Sequence, residues 1–243
     1  MSDVWVPSDR QYMIDDLCRT ITRVAANEGW FQQSWQGVDV WQLPEDLVRL
    51  QGVVHTIRPR WIIETGTKFG GSAIFFASLL ALNGETAGGV ITVDLDLKPQ
   101  ALECFRHHPL GTRIKAALAG DAAAPDTLAR CASLLASDPG CVMVFLDDDH
   151  NADHVERELQ AYAPLVTPGS YLIVADTSFA ELAGTPVGRS TPKYPDVARS
   201  NPKVALERFL VSHGHQFERV VPPCPHGPGN FKDGFLRRRT DVS

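Results

Sequence analysis

The spacing of apolar positions changes character near residue 60. Between Ser8 and about Glu28, Ile14, Leu17, Ile21 and Val24 recur at three- and four-residue intervals, which predicts an amphipathic helix. The aromatic-rich stretch "GWFQQSWQGVDVW" follows with no clear period and reads as irregular. Pro44 then opens a second helix over "PEDLVRLQGVVHTI", since proline is pre-set for a first helical position. Residues 1–58 are therefore expected to form a helical cap within the same domain as a core spanning 59–243.

Beyond Arg60, short runs that are apolar throughout alternate with helical stretches. The runs are "WIIET", "GVITVDLD", "RIKAALAGDA", "CVMVFLD" and "GSYLIVADT"; the stretches include "GGSAIFFASLLALNG", "KPQALECFRHH", "PDTLARCASLLAS" and "NADHVERELQAYAPLV". Strands without polar alternation are buried on both faces, so the pattern implies a mostly parallel, doubly wound α/β sheet of Rossmann-like type. After Asp176 the period is lost over "TSFAELAGTPVGRSTPKYPDVARS", a loop long enough to be a lid. A helix, "NPKVALERFLVSH", and two strands, "HQFERVV" and "GFLRRR", complete the chain. As an antiparallel pair at the sheet edge, these two bring the sheet to seven strands.

Composition narrows the field. The 243 residues carry a formal charge of −6, which disfavours a nucleic-acid partner. The five cysteines are odd in number and form no CxxC, so a disulfide framework or structural zinc site is not expected and a reducing compartment is. The acidic start "MSDVWVPSDRQYMIDD" lacks an apolar signal core, and the run "AIFFASLLAL" is too short to span a bilayer. These features point to the cytoplasm, with no membrane insertion.

Open α/β sheets bind ligands at the carboxyl ends of their strands. The first such end reads Glu64-Thr65-Gly66-Thr67-Lys68-Phe69-Gly70-Gly71-Ser72. The next strand ends in Asp94 and Asp96, where an acid can bond ribose hydroxyls, and the third in Gly120-Asp121-Ala122. Glu64, Gly66, Thr67, Lys68, Phe69, Gly70, Gly71, Ser72, Asp94, Asp121 and Asp147 are the candidate cofactor-binding residues. A dinucleotide fingerprint needs glycine where Lys68 stands, which disfavours a nucleotide-dependent oxidoreductase. S-adenosylmethionine fits better, with a sulfonium, an amine and a ribose but no phosphate. The plainer alternative is that Gly70 and Gly71 only permit close helix packing.

The stretch "FLDDDHNADHV" ends a buried strand on three acids and a histidine. Asp147 and Asp176 end strands expected to be neighbours, so their carboxylates can converge on one Mg²⁺ ion. His150 is the candidate base for a hydroxyl, since imidazole titrates near neutral pH. Asp148, Asp149 and Asn151 all suit the N-cap of the next helix, and for Asp148 that reading is preferred. His154 reads as helix surface.

"IIETGTKFGGSAIFFASLL", "LDDDHNADHVERELQAYAPLVTPGSYLIVADT" and "NPKVALERFL…GFLRRR" resemble the cephalosporin hydroxylase/rhamnosyl O-methyltransferase family of class I S-adenosylmethionine-dependent methyltransferases. The resemblance covers roughly residues 30 to 239. It implies metal-assisted methyl transfer to a hydroxyl of a sugar or other natural product, by a homo-oligomer. Asp147 matches the family's first metal ligand, His150 its candidate base, and Gly66, Gly70 and Gly71 its cofactor loop. The family's adjacent Glu-Asp pair reads Ala175-Asp176 here. One carboxylate is therefore missing, with Asp148 or Asp149 the candidates to replace it. The segments Trp30–Trp41 and Ser178–Ser200 are expected to close over the acceptor. The loss at Ala175 keeps a second class open: an auxiliary, catalytically reduced partner of an oxygenase in cephalosporin-type hydroxylation or methoxylation.

Overall fold

The computed structural model describes residues 8–136, 138–223 and 227–240. Strands β3 (Trp61–Thr65), β4 (Gly89–Asp94), β5 (Ile114–Ala119), β6 (Val142–Leu146) and β7 (Tyr171–Val174) follow the apolar runs closely. They pair in parallel in the order β5-β4-β3-β6-β7. The two late strands, β8 (Phe217–Arg219) and β9 (Phe235–Arg238), are antiparallel as expected, with β9 inserted between β7 and the edge strand β8. The sheet therefore has seven strands.

Successive residues of each central strand feed opposite faces, as strand geometry requires. Ile62, Met143 and Phe145 pack with helices α2 (Pro44–Ile57) and α3 (Gly71–Leu82), through Leu50, Val54, Phe76 and Leu80. Ile63, Val144 and Leu146 pack with α5 (Pro125–Ala136), α6 (Ala152–Tyr162) and α7 (Pro202–His213), through Cys131, Leu159 and Phe209. Helix α4 (Pro99–His107) reaches the first face through Phe105. Each fully buried aliphatic or aromatic side chain contributes about 1.5–3 kcal/mol. The core is thus two apolar layers clamped on one sheet. Helix α3 has no polar stripe, and nine of its twelve residues are buried. That fits a helix enclosed on every side.

Helix α1 (Ser8–Glu28) spans the expected stretch. The "irregular" aromatic segment does not. It folds as a hairpin of β1 (Gln32–Trp35) and β2 (Val38–Trp41). Its turn puts Gln36 at φ 50 and Gly37 at φ 82, the left-handed pair that two-residue hairpins favour. The hairpin lies on the start of α3 so closely that a Cβ on Gly71 would sit 2.1 Å from the Asp39 carbonyl oxygen. Trp35 Nε1 donates to Ser78 Oγ at 3.0 Å, securing the same contact. Cys18, Cys104, Cys131 and Cys141 are free thiols, and Cys224 lies outside the described residues. Among the described residues no helix is long and apolar enough to cross a membrane.

Candidate active site

Strand order reverses between β3 and β6, and ligand crevices form at such points. Gly66 follows β3 and Asp147 follows β6. A Cβ on Gly66, which sits at φ 91, would meet the Asp147 carbonyl oxygen at 2.1 Å. Glycine here lets two strand ends close together, and at Gly71 it admits the hairpin; neither requirement comes from a ligand. Gly70, at φ 87, faces the Phe105 ring and stands behind the crevice wall. Lys68 has φ 45, so the loop keeps a glycine-like turn where the side chain is lysine.

The resulting cleft, of about 490 Å³, is walled by Gly66–Phe69 and Ser72, by Trp41 and Phe31 of the cap, and by Phe179, Leu182 and Tyr194 of the lid. Asp94 reaches it and accepts from the Lys68 backbone N–H at 2.9 Å. Thr67 Oγ1 lies 2.6 Å from Thr92 Oγ1, and Thr92 in turn donates to Glu64 Oε1 at 2.8 Å. Glu64 is fully buried beneath this loop, and among the described residues its Oε2 makes no hydrogen bond of full geometry. Burial pushes its carboxyl up to about 7, against the pull of Thr92 and Ser72.

Asp147, Asp176 and His150 all face the cleft. His150 Nε2 lies 3.3 Å from Asp176 Oδ2. The imidazole is gripped by lid aromatics, stacked on Tyr194 at 5.5 Å and tilted against Phe179 at 4.8 Å. Asp176 holds φ 51, a left-handed conformation uncommon outside glycine that is characteristic of functional turns. Burial, then Asp176, raises the Asp147 carboxyl well above the ordinary carboxylate range. Lys68 opposes that shift, while burial lowers its own pKa. Its ammonium lies 3.4 Å from the Trp41 ring centroid.

Two contributors escaped the sequence. Gln42, almost fully buried, donates from Nε2 to Asp147 Oδ2 at 2.6 Å. Asp46 lies buried on α2 with Arg49 at 2.6 Å, and its Oδ2 accepts from the backbone N–H of Asn230, which lines the cleft. Burial pushes Asp46 up to about 6. The only available signal was position: Gln42 immediately precedes Leu43-Pro44, and Asp46 occupies the first turn of α2.

Other expectations are corrected. Asp121 ends its strand region at the same sheet edge but does not line the cleft; Oδ1 caps Ala123 N–H at 3.0 Å and Oδ2 takes Arg157 at 3.3 Å. Asp148 is not an N-cap: it turns to His154 at 3.1 Å, which is therefore no free surface histidine. Asp149 accepts from Asn151 N–H at 2.7 Å and pairs with Lys193 of the lid at 3.4 Å. The α6 N-cap position is Asn151, and the first helical N–H is bonded instead by Ser200 Oγ at 3.0 Å. Asp148 borders the cleft with its Oδ2 engaged by His154, Asp149 pairs with Lys193, and Ala175, where the carboxylate is missing, packs in the apolar layer. The oxygen-rich set that remains, two carboxylates and the Gln42 side chain, still fits a hard divalent cation, which needs one or two carboxylates with waters and substrate oxygens.

A family model described as "Rhamnosyl O-methyltransferase/CmcI" matches residues 27–239. The chain belongs to this family. A rhamnosyl O-methyltransferase of Mycobacterium tuberculosis is 31% identical over 61% of the chain, and the match spans 58% of that relative's length. A rhamnosyl O-methyltransferase of Mycobacterium leprae is 30% identical over 86% of the chain and 85% of its own length. Among solved structures, a CmcI complex titled with Mg and SAM superposes with a TM-score of 0.53 at 18% identity, covering 85% of this chain and 76% of that one. That likeness shows the shared class I methyltransferase fold.

Proposed function

We propose that the chain is an S-adenosylmethionine-dependent O-methyltransferase that methylates a hydroxyl of a rhamnose-type sugar on a small natural product. The observation that carries this reading is the His150–Asp176 pair facing the glycine turn across one cleft, with Asp147 at the strand crossing between them. The relatives' names, which record rhamnosyl O-methyl transfer, supply the substrate class.

The cofactor loop Gly66–Ser72 holds S-adenosylmethionine, with Asp94 toward the ribose. The carboxyl of Glu64, buried beneath this loop, is the candidate acceptor for the cofactor's ammonium group. S-adenosylmethionine would supply an electrophilic methyl group; Asp147 and Asp176 would hold a divalent cation, which would lower the pKa of the acceptor hydroxyl. His150 takes the hydroxyl proton, and Asp176, 3.3 Å from its Nε2, stabilises the imidazolium that results. The O–C bond forms as the S–C bond breaks, S-adenosylhomocysteine departs with the electron pair, and His150 returns its proton to solvent. Phe179 and Tyr194 hold the imidazole and exclude water; Phe31, Trp41 and Phe69 give the sugar ring an aromatic wall. The tyrosine and phenylalanine come from the lid, so closure completes the base.

Calorimetric titration with S-adenosylmethionine tests the reading at its first step. Saturable one-to-one binding is expected. Absence of heat at millimolar cofactor, with the protein folded, would sink it.

A further inference from the structure

The three consecutive aspartates point three ways. Asp147 enters the cleft, Asp149 meets the lid, and Asp148 turns back onto α6. Asp148 Oδ2 lies 3.1 Å from His154 Nε2, and Glu158 Oε2 lies 3.8 Å from the same nitrogen. One ligand atom from each of the three residues falls within 4.8 Å of the other two. His154 and Glu158 are four apart on a helix, which places them on one face.

Glu158 is the unexpected member. It stands on the buried side of α6 among Val155, Leu159 and Tyr162, with no exposed surface. Among the described residues neither of its oxygens makes a hydrogen bond of full geometry, with only the Asp148 carboxyl and the Thr65 hydroxyl in reach, and Asp148 Oδ1 makes none. A carboxylate without partners in an apolar layer is costly, and a second carboxylate beside it adds repulsion. Burial and Asp148 accordingly push the Glu158 carboxyl well above its ordinary range. A cation coordinated by all three side chains would satisfy the orphaned oxygens and cancel the repulsion together.

We propose that Asp148, His154 and Glu158 form a second divalent-cation site, of the zinc class, which fastens the loop carrying Asp147 and His150 to α6. The inference does not rest on the reading of the cleft. An imidazole with two carboxylates favours Zn²⁺ and its neighbours in the first transition row over the all-oxygen preference of Mg²⁺. Tetrahedral ligands at about 2.1 Å stand roughly 3.4 Å apart, and the 3.1 and 3.8 Å separations from His154 Nε2 fall on either side of that value. Three protein ligands leave one position for water. His154 offers Nε2 inward, while Nδ1 faces Arg157 at 2.9 Å. Arg157 is half-exposed and already reaches Asp121, toward which it turns when Nδ1 carries the proton.

The test uses Co²⁺ as a coloured stand-in, titrated into the metal-stripped full chain. The same titration is run on Asp176→Asn, which disables the cleft pair. Both proteins are expected to show visible Co²⁺ absorption and a Co²⁺-dependent rise in Tm. Adding Glu158→Gln or, separately, His154→Ala to the Asp176→Asn background is expected to abolish both signals. His154 is partly exposed, so its variant keeps the test open should Glu158→Gln not fold. No absorption in the unmutated chain, absorption lost in Asp176→Asn alone, or absorption that survives His154→Ala in the Asp176→Asn background would each overturn the proposal.

Discussion

The two histidines of the segment after β6 are four residues apart, and each meets an aspartate, yet their surroundings differ in kind. His150 pairs with Asp176 in an open cleft, between aromatic side chains of the lid. His154 pairs with Asp148 on the inner side of α6, next to a glutamate that water does not reach. The first arrangement has room for a substrate and a strained backbone at Asp176. The second has no such room and leaves carboxylate oxygens unmet. On the two proposals, like residue types serve turnover in one place and loop anchorage in the other, and what separates them is which side of the strand end each side chain leaves from.

Four substitutions or titrations sharpen this contrast. The largest effect is expected from Asp176→Asn, which should lower kcat by about 10²–10⁴ while leaving S-adenosylmethionine affinity intact. Steady-state kinetics beside calorimetry reads that split. Next, Glu158→Leu removes an unpartnered acid and keeps an apolar layer packed. In metal-free protein it should gain about 1–3 kcal/mol in chemical denaturation, and the gain should shrink or reverse when Zn²⁺ is added.

A pH dependence follows in size. Glu64 titrates near 7 in the free fold, against 4.5 for an ordinary glutamate. A raised carboxyl stabilises the fold below 4.5, and that contribution is lost as pH rises through about 7. An ammonium ligand needs the ionised form, so cofactor affinity should weaken about tenfold for each pH unit below 7 and flatten above it. Glu64→Gln should remove the slope. The smallest effect belongs to Lys193→Ala, which cuts the lid's tie to Asp149. A part-exposed ion pair contributes about 0.2–1 kcal/mol, so the acceptor KM should rise by no more than about fivefold.

The sheet was legible because its strands are apolar on both faces, and "CVMVFLD" or "WIIET" has no competing period. The cleft was legible in outline because strand ends in such a sheet gather at one edge, which brought Asp94, Asp147, His150 and Asp176 together. What escaped was side-chain direction. Asp121 ends a strand like the others but is captured by Arg157 from α6, a contact no local pattern announces. Asp148 had the right neighbours for an N-cap and was drawn instead to a histidine six residues on. Glu158 looked like one acid among several in "VERELQ", although it falls three residues after buried Val155, within the apolar stripe. The hairpin of residues 32–41 was hidden by four-residue strands whose exposure alternates weakly, and only Gln36-Gly37 marked its turn. The glycines were read as making way for a ligand, with close packing the alternative at Gly70 and Gly71; Gly66 and Gly71 line the cleft and also make way for neighbouring backbone.

The central claim is that the open histidine takes a proton from a sugar hydroxyl during methyl transfer. Incubating the protein with isotopically labelled S-adenosylmethionine, Mg²⁺ and a rhamnoside, alongside His150→Ala, addresses it most directly. Labelled methyl should appear on the rhamnose of the unmutated reaction, and His150→Ala should lose that transfer while binding the cofactor as before. Labelled product formed equally by both proteins would contradict the assignment of His150, and no transfer by either protein to any rhamnoside would contradict the account of the cleft.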